Sequence, residues 1–219
     1  MGKQKVLTVC LCGLLLLAGL WRNEQVREAS ATVGTAGTIA LTFDDGPHSR
    51  YTRQLLDGLR ERGVKATFFL IGKNIEGNED VVRQMAADGH LIGCHTYSHV
   101  DLTQCTRSEA AEEIEQTNSR ITELTGKVVE YIRPPFGKWS NALAEDFPLT
   151  VVQWTVDPED WKSRDKDAIV ERVMADVQDG SIILLHDFYQ PSVEAALELV
   201  DRLQAAGYQF VTVDELLLD

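Results

Sequence analysis

Two periods of hydrophobic and polar positions alternate along this chain, and their alternation sets the fold class. Positions 38–43 (Thr-Ile-Ala-Leu-Thr-Phe) are apolar or β-branched throughout and predict a strand. Positions 51–62 follow in a helical pattern closed by Gly63. The same exchange then repeats. Strands are predicted at 66–71, 91–95, 131–133, 151–156, 181–186 and 209–213, and helices at 79–88, 108–124, 167–178 and 192–206. The helix at 108–124 carries Glu109 in its first turn and stops at Gly126.

Strands that are apolar almost throughout, each followed by a helix, indicate a parallel sheet covered on both faces. About seven such units in one domain predict an α/β protein closed as a distorted (β/α) barrel, in preference to an open doubly wound sheet. In such folds function gathers at the carboxyl ends of the strands. The residues there are not the ordinary turn formers: Asp44-Asp45, His95, Arg133, Asp157 and His186 each end a different strand.

The first 31 residues read differently. Lys3 and Lys5 precede an apolar run at 6–21, broken by Arg22, Asn23 and Glu24. This is the layout of an export signal. At 1.5 Å per residue the run spans about 24 Å, short of a hydrocarbon core of about 30 Å. A cleaved signal is therefore expected ahead of a permanent membrane tether, with residues 32–219 forming one domain outside the cytoplasm.

Composition narrows the partners. The chain carries a formal charge of -13. Residues 1–31 hold four cations and two anions, so the domain alone stands at -15. So acidic a body repels nucleic acid and anionic membrane surfaces, and a neutral or cationic glycan suits it better. Two cysteines fall inside the export segment; Cys94 and Cys105 remain, either as a disulfide or as two separate thiols.

The strand ends also suggest chemistry. Two adjacent carboxylates, Asp44 and Asp45, cannot point the same way as they leave a strand, so they suit different tasks. His95 and His99 stand four apart and share a face if the segment turns helically, which suits two ligands of one metal. One of the two aspartates completes a site with two histidines, one carboxylate and open positions. That set suits zinc or a similar divalent ion, and a non-haem iron oxygenase uses the same ligands. Arg133 adds a permanent cation behind Pro134-Pro135, Asp160-Trp161 sets a carboxylate beside an aromatic platform, and His186 offers a general acid.

Five ordered segments resemble the motifs of the polysaccharide deacetylases with the NodB-homology domain, carbohydrate esterase family 4: Thr42-Phe43-Asp44-Asp45-Gly46, His95-Thr96-Tyr97-Ser98-His99, Arg133-Pro134-Pro135-Phe136, Asp157-Pro158-Glu159-Asp160-Trp161 and Leu184-Leu185-His186. The closing Gly207-Tyr208-Gln209-Phe210-Val211-Thr212-Val213 resembles the family's last strand. The resemblance implies a seven-stranded distorted barrel and a hydrolase of linear amides, removing acetyl groups from an N-acetylated polysaccharide. Peptidoglycan or a chitin-like polymer is the expected substrate, with acetylated xylan the alternative.

Carried over by position, Asp44 matches the general base and Asp45, His95 and His99 the metal ligands. Zinc is the expected ion, with cobalt or another divalent metal as the alternative. His186 matches the acid, Asp160 its partner, and Arg133 the residue that orients Asp44. The Phe136 backbone N–H would hold the oxyanion, while Trp161 and Leu184 would wall the acetyl pocket. Phe136 stands where Tyr is common, and Cys94 where Asn is frequent. A monomer is expected. A glycan-binding module that kept the fold without catalysis is the reading from a different class.

Overall fold

The structure, a computed structural model, describes residues 36–218. The export segment expected at 1–31 lies outside the described residues. Among them, no helix is long and apolar enough to cross a membrane.

Seven strands are present: β1 (Gly37–Asp44), β2 (Thr67–Leu70), β3 (Leu91–Cys94), β4 (Tyr131–Ile132), β5 (Thr150–Val151), β6 (Ile182–His186) and β7 (Tyr208–Val211). All pair in parallel, in the order β5-β4-β3-β2-β1-β6, with β7 beside β1. Between them run α1 (Tyr51–Glu61), α2 (Glu79–Ala87), α3 (Arg107–Thr125), α4 (Asn141–Asp146), α5 (Lys166–Asp176) and α6 (Gln190–Ala205), and α7 (Val213–Leu218) closes the chain. The curled parallel sheet bears out the expected barrel architecture.

Period two along β1 divides its side chains between two environments. Ile39, Leu41 and Phe43 enter the main core with Leu55, Leu56 and Leu59 of α1 and Leu199 and Leu203 of α6. Each such fully buried side chain stabilises the fold by about 1.5–3 kcal/mol. Ala40 faces the other way, into a small cluster with Phe69, Val152 and Val213. Thr42 and Asp44 share that inner face by the same alternation, so β1 delivers Asp44 to the barrel mouth.

Element ends follow local chemistry. Helix α3 starts one residue before the predicted position because Thr106 caps it. The Thr106 side chain accepts from the Glu109 N–H, while Glu109 reaches back to the Thr106 N–H at 2.8 Å. Such a capping box contributes about 1 kcal/mol.

Two predicted strands are corrected. The stretch 151–156 holds its ladder only at Thr150–Val151, then touches β6 again through a single bridge between Val156 and Ile183. In between, the carbonyls of Val152 and Gln153 accept from the Arg133 guanidinium, each at 3.1 Å. A side chain thus takes the place of a strand partner. The last strand ends at Val211, and Val213 opens α7 instead, because the Glu215 carboxylate accepts from the Thr212 N–H at 3.1 Å and turns the chain into a helix. The pattern of the sequence predicts neither of the short helices α4 and α7.

The cysteine question resolves to two free thiols. Burial pushes the Cys94 thiol up to about 12, so it is a packing group rather than a nucleophile.

Candidate active site

The loops after β1, β3, β4, β5 and β6 converge on a cavity of about 520 Å³, a size typical of ligand sites. Asp44, Asp45, His95, His99, Phe136, Trp161, Leu184 and His186 all line it. Arg133 and Asp160 are fully buried behind it, each holding one of those lining residues. The ten side chains singled out from sequence are therefore brought together.

Asp45 leaves β1 in the left-handed region, φ 75°, which turns its carboxylate away from that of Asp44. Its Oδ1 lies 3.6 Å from His95 Nε2 and 3.6 Å from His99 Nε2. That oxygen is buried with no hydrogen-bond partner, an expensive arrangement for a lone carboxylate. Ligand atoms around a zinc-sized ion at about 2.1 Å stand roughly 3.4 Å apart, so the three groups fit a divalent cation. His95 Nδ1 sits 2.5 Å from the Arg133 carbonyl. A carbonyl only accepts, so Nδ1 bears the proton and Nε2 presents its lone pair to the site. Burial and the neighbouring His95 ring hold the His99 imidazole below its ordinary value, which keeps it neutral and able to ligate.

The histidine spacing works by a route other than the conditional one read from sequence. Residues 95–99 form no helix; Thr96 and His99 both take left-handed conformations, φ 62° and 63°. A kinked loop, not a helical face, brings the two rings to 5.0 Å.

Asp44 is 3% exposed and accepts from Arg133 Nη1 at 2.9 Å. The same nitrogen donates to Thr42 Oγ1 at 2.7 Å, and the guanidinium lies over the Phe69 ring at 4.4 Å. Asp44 Oδ2 stands 3.8 Å from His95 Nε2. Asp44 is thus beside the cluster of Asp45, His95 and His99 without belonging to it, and the two carboxylates occupy different surroundings.

Across the cavity, His186 Nδ1 meets Asp160 Oδ1 at 2.7 Å, and the His186 backbone N–H donates to Asp160 Oδ2 at 2.8 Å. Burial opposes charge on the ring. The Asp160 hydrogen bond and the carboxylates of Asp160, Asp44 and Asp45 outweigh it and raise His186 to about 9. At neutral pH the ring holds a proton on each nitrogen, with Nε2 free to give its own away.

Trp154 and Asp187 were not singled out from sequence, and Asp157 was singled out only as a strand end. Trp154 and Asp157 line the cavity. Asp187 is fully buried, accepts from Thr52 Oγ1 and leaves Oδ1 without a partner. Burial is the main cause raising its carboxyl to about 7. A Cβ on Gly46 would lie 2.5 Å from that carboxylate, so the turn after Asp45 needs glycine there. The Asp after His186 is visible in the sequence, but nothing in its spacing reveals its burial against residue 46.

Comparison with known proteins agrees with this geometry. Residues 32–152 match the family model described as polysaccharide deacetylase. The peptidoglycan-N-acetylglucosamine deacetylase PgdA of Listeria monocytogenes serotype 1/2a (strain 10403S) is 38% identical over 178 residues, covering 81% of this chain and 38% of PgdA. The chain thus spans little more than a third of that relative. A chitooligosaccharide deacetylase of Rhizobium leguminosarum bv. trifolii is 42% identical over 188 residues, covering 78% of this chain and 87% of the relative. The solved structure of the peptidoglycan deacetylase PdaC from Bacillus subtilis superposes with a TM-score of 0.81 at 40% identity, covering 83% of this chain and 90% of that one.

Proposed function

The chain belongs to the polysaccharide deacetylase family, and from that premise we propose that it is a metal-dependent hydrolase removing N-acetyl groups from a cell-wall polysaccharide. One observation carries the reading: a three-ligand cluster, an arginine-held aspartate and an aspartate-held histidine face a single cavity. Relatives named for peptidoglycan and for chitooligosaccharide both act on N-acetylated glycans, and peptidoglycan is the first candidate substrate. Action outside the cytoplasm follows from that substrate and from the export-like residues 3–24. The catalytic domain is proposed to act as a monomer.

Asp45, His95 and His99 would hold the ion, zinc by the chemistry of the set. When bound, such an ion supplies Lewis acidity to oxygens at the site. Everything else falls to the chain's own groups. Asp44, oriented by Arg133, takes the proton of a water as its oxygen attacks the acetyl carbonyl carbon. The Phe136 backbone N–H donates to the oxyanion of the tetrahedral intermediate. As the C–N bond breaks, His186 Nε2 gives its proton to the departing sugar amine, and Asp160 holds the ring in place. Acetate and a free amine result. Trp161, half exposed, and Leu184, buried, wall the pocket that receives the methyl group.

Acetate release measured over peptidoglycan, chitin oligomers and acetylated xylan tests the reading, with the N-acetylated polymers expected to be cleaved. Release from xylan alone would move the assignment to an O-acetyl esterase, and release from none would favour the binding module. Asp44→Asn should lower turnover by about 10²–10⁴-fold while bound metal stays at the wild-type level. Full activity in that variant would remove Asp44 from the base role.

A further inference from the structure

The segment between the two ligand histidines has no regular secondary structure, so its backbone groups must find partners one by one. The Thr96 N–H donates to Cys94 Sγ at 3.4 Å, and the His99 N–H to Thr96 Oγ1 at 3.0 Å. The carbonyls of Thr96 and Tyr97 accept from the N–H groups of Gly72 and Lys73, each at 2.9 Å. The two donors left at the centre go to one side chain. Glu113 Oε2 accepts from the Tyr97 N–H at 2.9 Å and the Ser98 N–H at 2.8 Å, and Oε1 accepts from the Ser98 hydroxyl at 2.5 Å.

Glu113 lies within α3, a 19-residue helix with a capping box at its start and a left-handed glycine at its end. The acceptor is therefore mounted on a rigid element. Its neighbours on that helix are committed elsewhere: Glu109 to the Thr106 cap and Glu112 to Gln116. The loop it holds contains two non-glycine residues in left-handed conformations, Thr96 and His99. Such conformations persist only where surrounding contacts over-determine them. Three hydrogen bonds to one carboxylate, stronger than neutral ones, supply that constraint midway between the ligands.

We propose that Glu113 is a positioning residue for the metal site, setting the placement of His95 and His99 through the backbone that joins them. The proposal rests on the reading of Asp45, His95 and His99 as ligands. No ligand is removed when Glu113 changes, so the effect is a looser site rather than a lost one.

Metal-stripped full-length protein titrated with Zn²⁺ against a chromophoric chelator tests this, with the visible spectrum of the Co²⁺ form as a second readout of ligand geometry. Glu113→Ala should bind Zn²⁺ about 10–100-fold more weakly, the usual range for outer-sphere partners of metal ligands, and should alter the Co²⁺ bands. Glu113→Gln keeps an oxygen for both N–H groups and should recover most of that loss. Glu112→Ala should match wild type. Ser98→Ala removes only the third bond, leaves both backbone bonds to Glu113 in place, and should weaken binding roughly threefold, since only part of that bond's strength reaches the ligands; it carries the test if Glu113→Ala does not fold. Wild-type affinity in Glu113→Ala, or in Ser98→Ala where the first variant does not fold, would overturn the proposal. A wild-type protein that binds neither metal would instead sink the ligand assignment.

Discussion

The two rims of the barrel solve the same backbone problem with different residues. At the rim where helices lead into strands, left-handed turns are made by Gly63, Gly89, Gly126, Gly180 and Gly207. At the rim where strands lead into helices, every non-glycine residue of positive φ among the described residues is found: Asp45, Thr96, His99, Phe136 and Glu159. A side chain in that conformation costs about 1–2 kcal/mol. One rim only turns the chain, so glycine suffices. The other turns at Gly77 and Gly137 as well, but at Asp45 and His99 it must turn the chain and present a side chain to the cavity from the same residue. Strain there is the consequence of placing chemistry at the turn.

The histidines divide along the same line. His90 and His95 bracket the four residues of β3 and are equally buried, each 3% exposed. His90 Nδ1 accepts from the Ala66 N–H at 3.0 Å, which puts the proton on Nε2, and that atom has no partner. His95 Nδ1 donates to the Arg133 carbonyl, which frees Nε2. The partner of one ring nitrogen makes the first a core group and turns the free nitrogen of the second toward the cavity.

The sharpest way to break this comparison is to delete each ring in turn. His95→Ala should lower acetate release by about 10³-fold or more, if bound metal supplies several kcal/mol of transition-state stabilisation, and should empty the metal site. His90→Leu should leave kcat/KM within about twofold while costing roughly 1–3 kcal/mol in urea unfolding, since the Ala66 N–H loses its acceptor. Equal losses of activity in both variants would show that the rims are not functionally distinct.

Proton linkage gives the next largest effect, in chelator-treated protein. His90 is held down to about 4, chiefly by burial. Its folded value lies below its unfolded value near 6.5, so its stabilising contribution is complete above 6.5 and is lost as pH falls toward 4. His186 is raised to about 9, so its contribution is complete below 6.5 and is lost as pH rises through 9. Each shift corresponds to about 3 kcal/mol. Asp187, raised to about 7, pulls the other way as pH falls from 7, so the acid side is read as a difference from wild type. His90→Leu should remove a loss of urea midpoint between 6.5 and 4, and His186→Gln a loss between 6.5 and 9. An acid limb unchanged in His90→Leu would mean that the ring is already charged in the fold.

Sequence pattern revealed the seven strands and the side chains around the cavity because strand ends are read from period and residue type together. The family resemblance implied two of the supports, Arg133 for Asp44 and Asp160 for His186, but the other contacts between distant segments were not legible. Arg133 breaks the predicted strand at 151–156 by bonding its carbonyls, a contact between segments 19 residues apart that no local window contains. Asp187 and Glu113 act on loops reached only through the fold. The HxxxH spacing pointed to the histidine pair but suggested a helical route, since helical and kinked loops can share a spacing while only the structure fixes φ.

The smallest effect tests strain directly. Glu159 has φ 54° on the functional rim, and its ion pair with Lys162 at 3.3 Å is exposed, so the side chain contributes little that glycine would lose. Glu159→Gly should raise stability by up to about 1 kcal/mol, because relief of the left-handed penalty exceeds the added freedom of the unfolded chain. Gly89 has φ 83° on the other rim, and a Cβ there would meet nothing nearer than Lys65 Cε at 3.4 Å. With no clash, Gly89→Ala should cost up to about 1 kcal/mol, the conformational penalty less the freedom removed from the unfolded chain. Opposite signs in thermal unfolding, with metal affinity unchanged in both, are expected if function alone keeps side chains in strained turns. A loss of stability in Glu159→Gly would mean that this turn is held for packing, and the strain at residue 159 would no longer mark the functional rim.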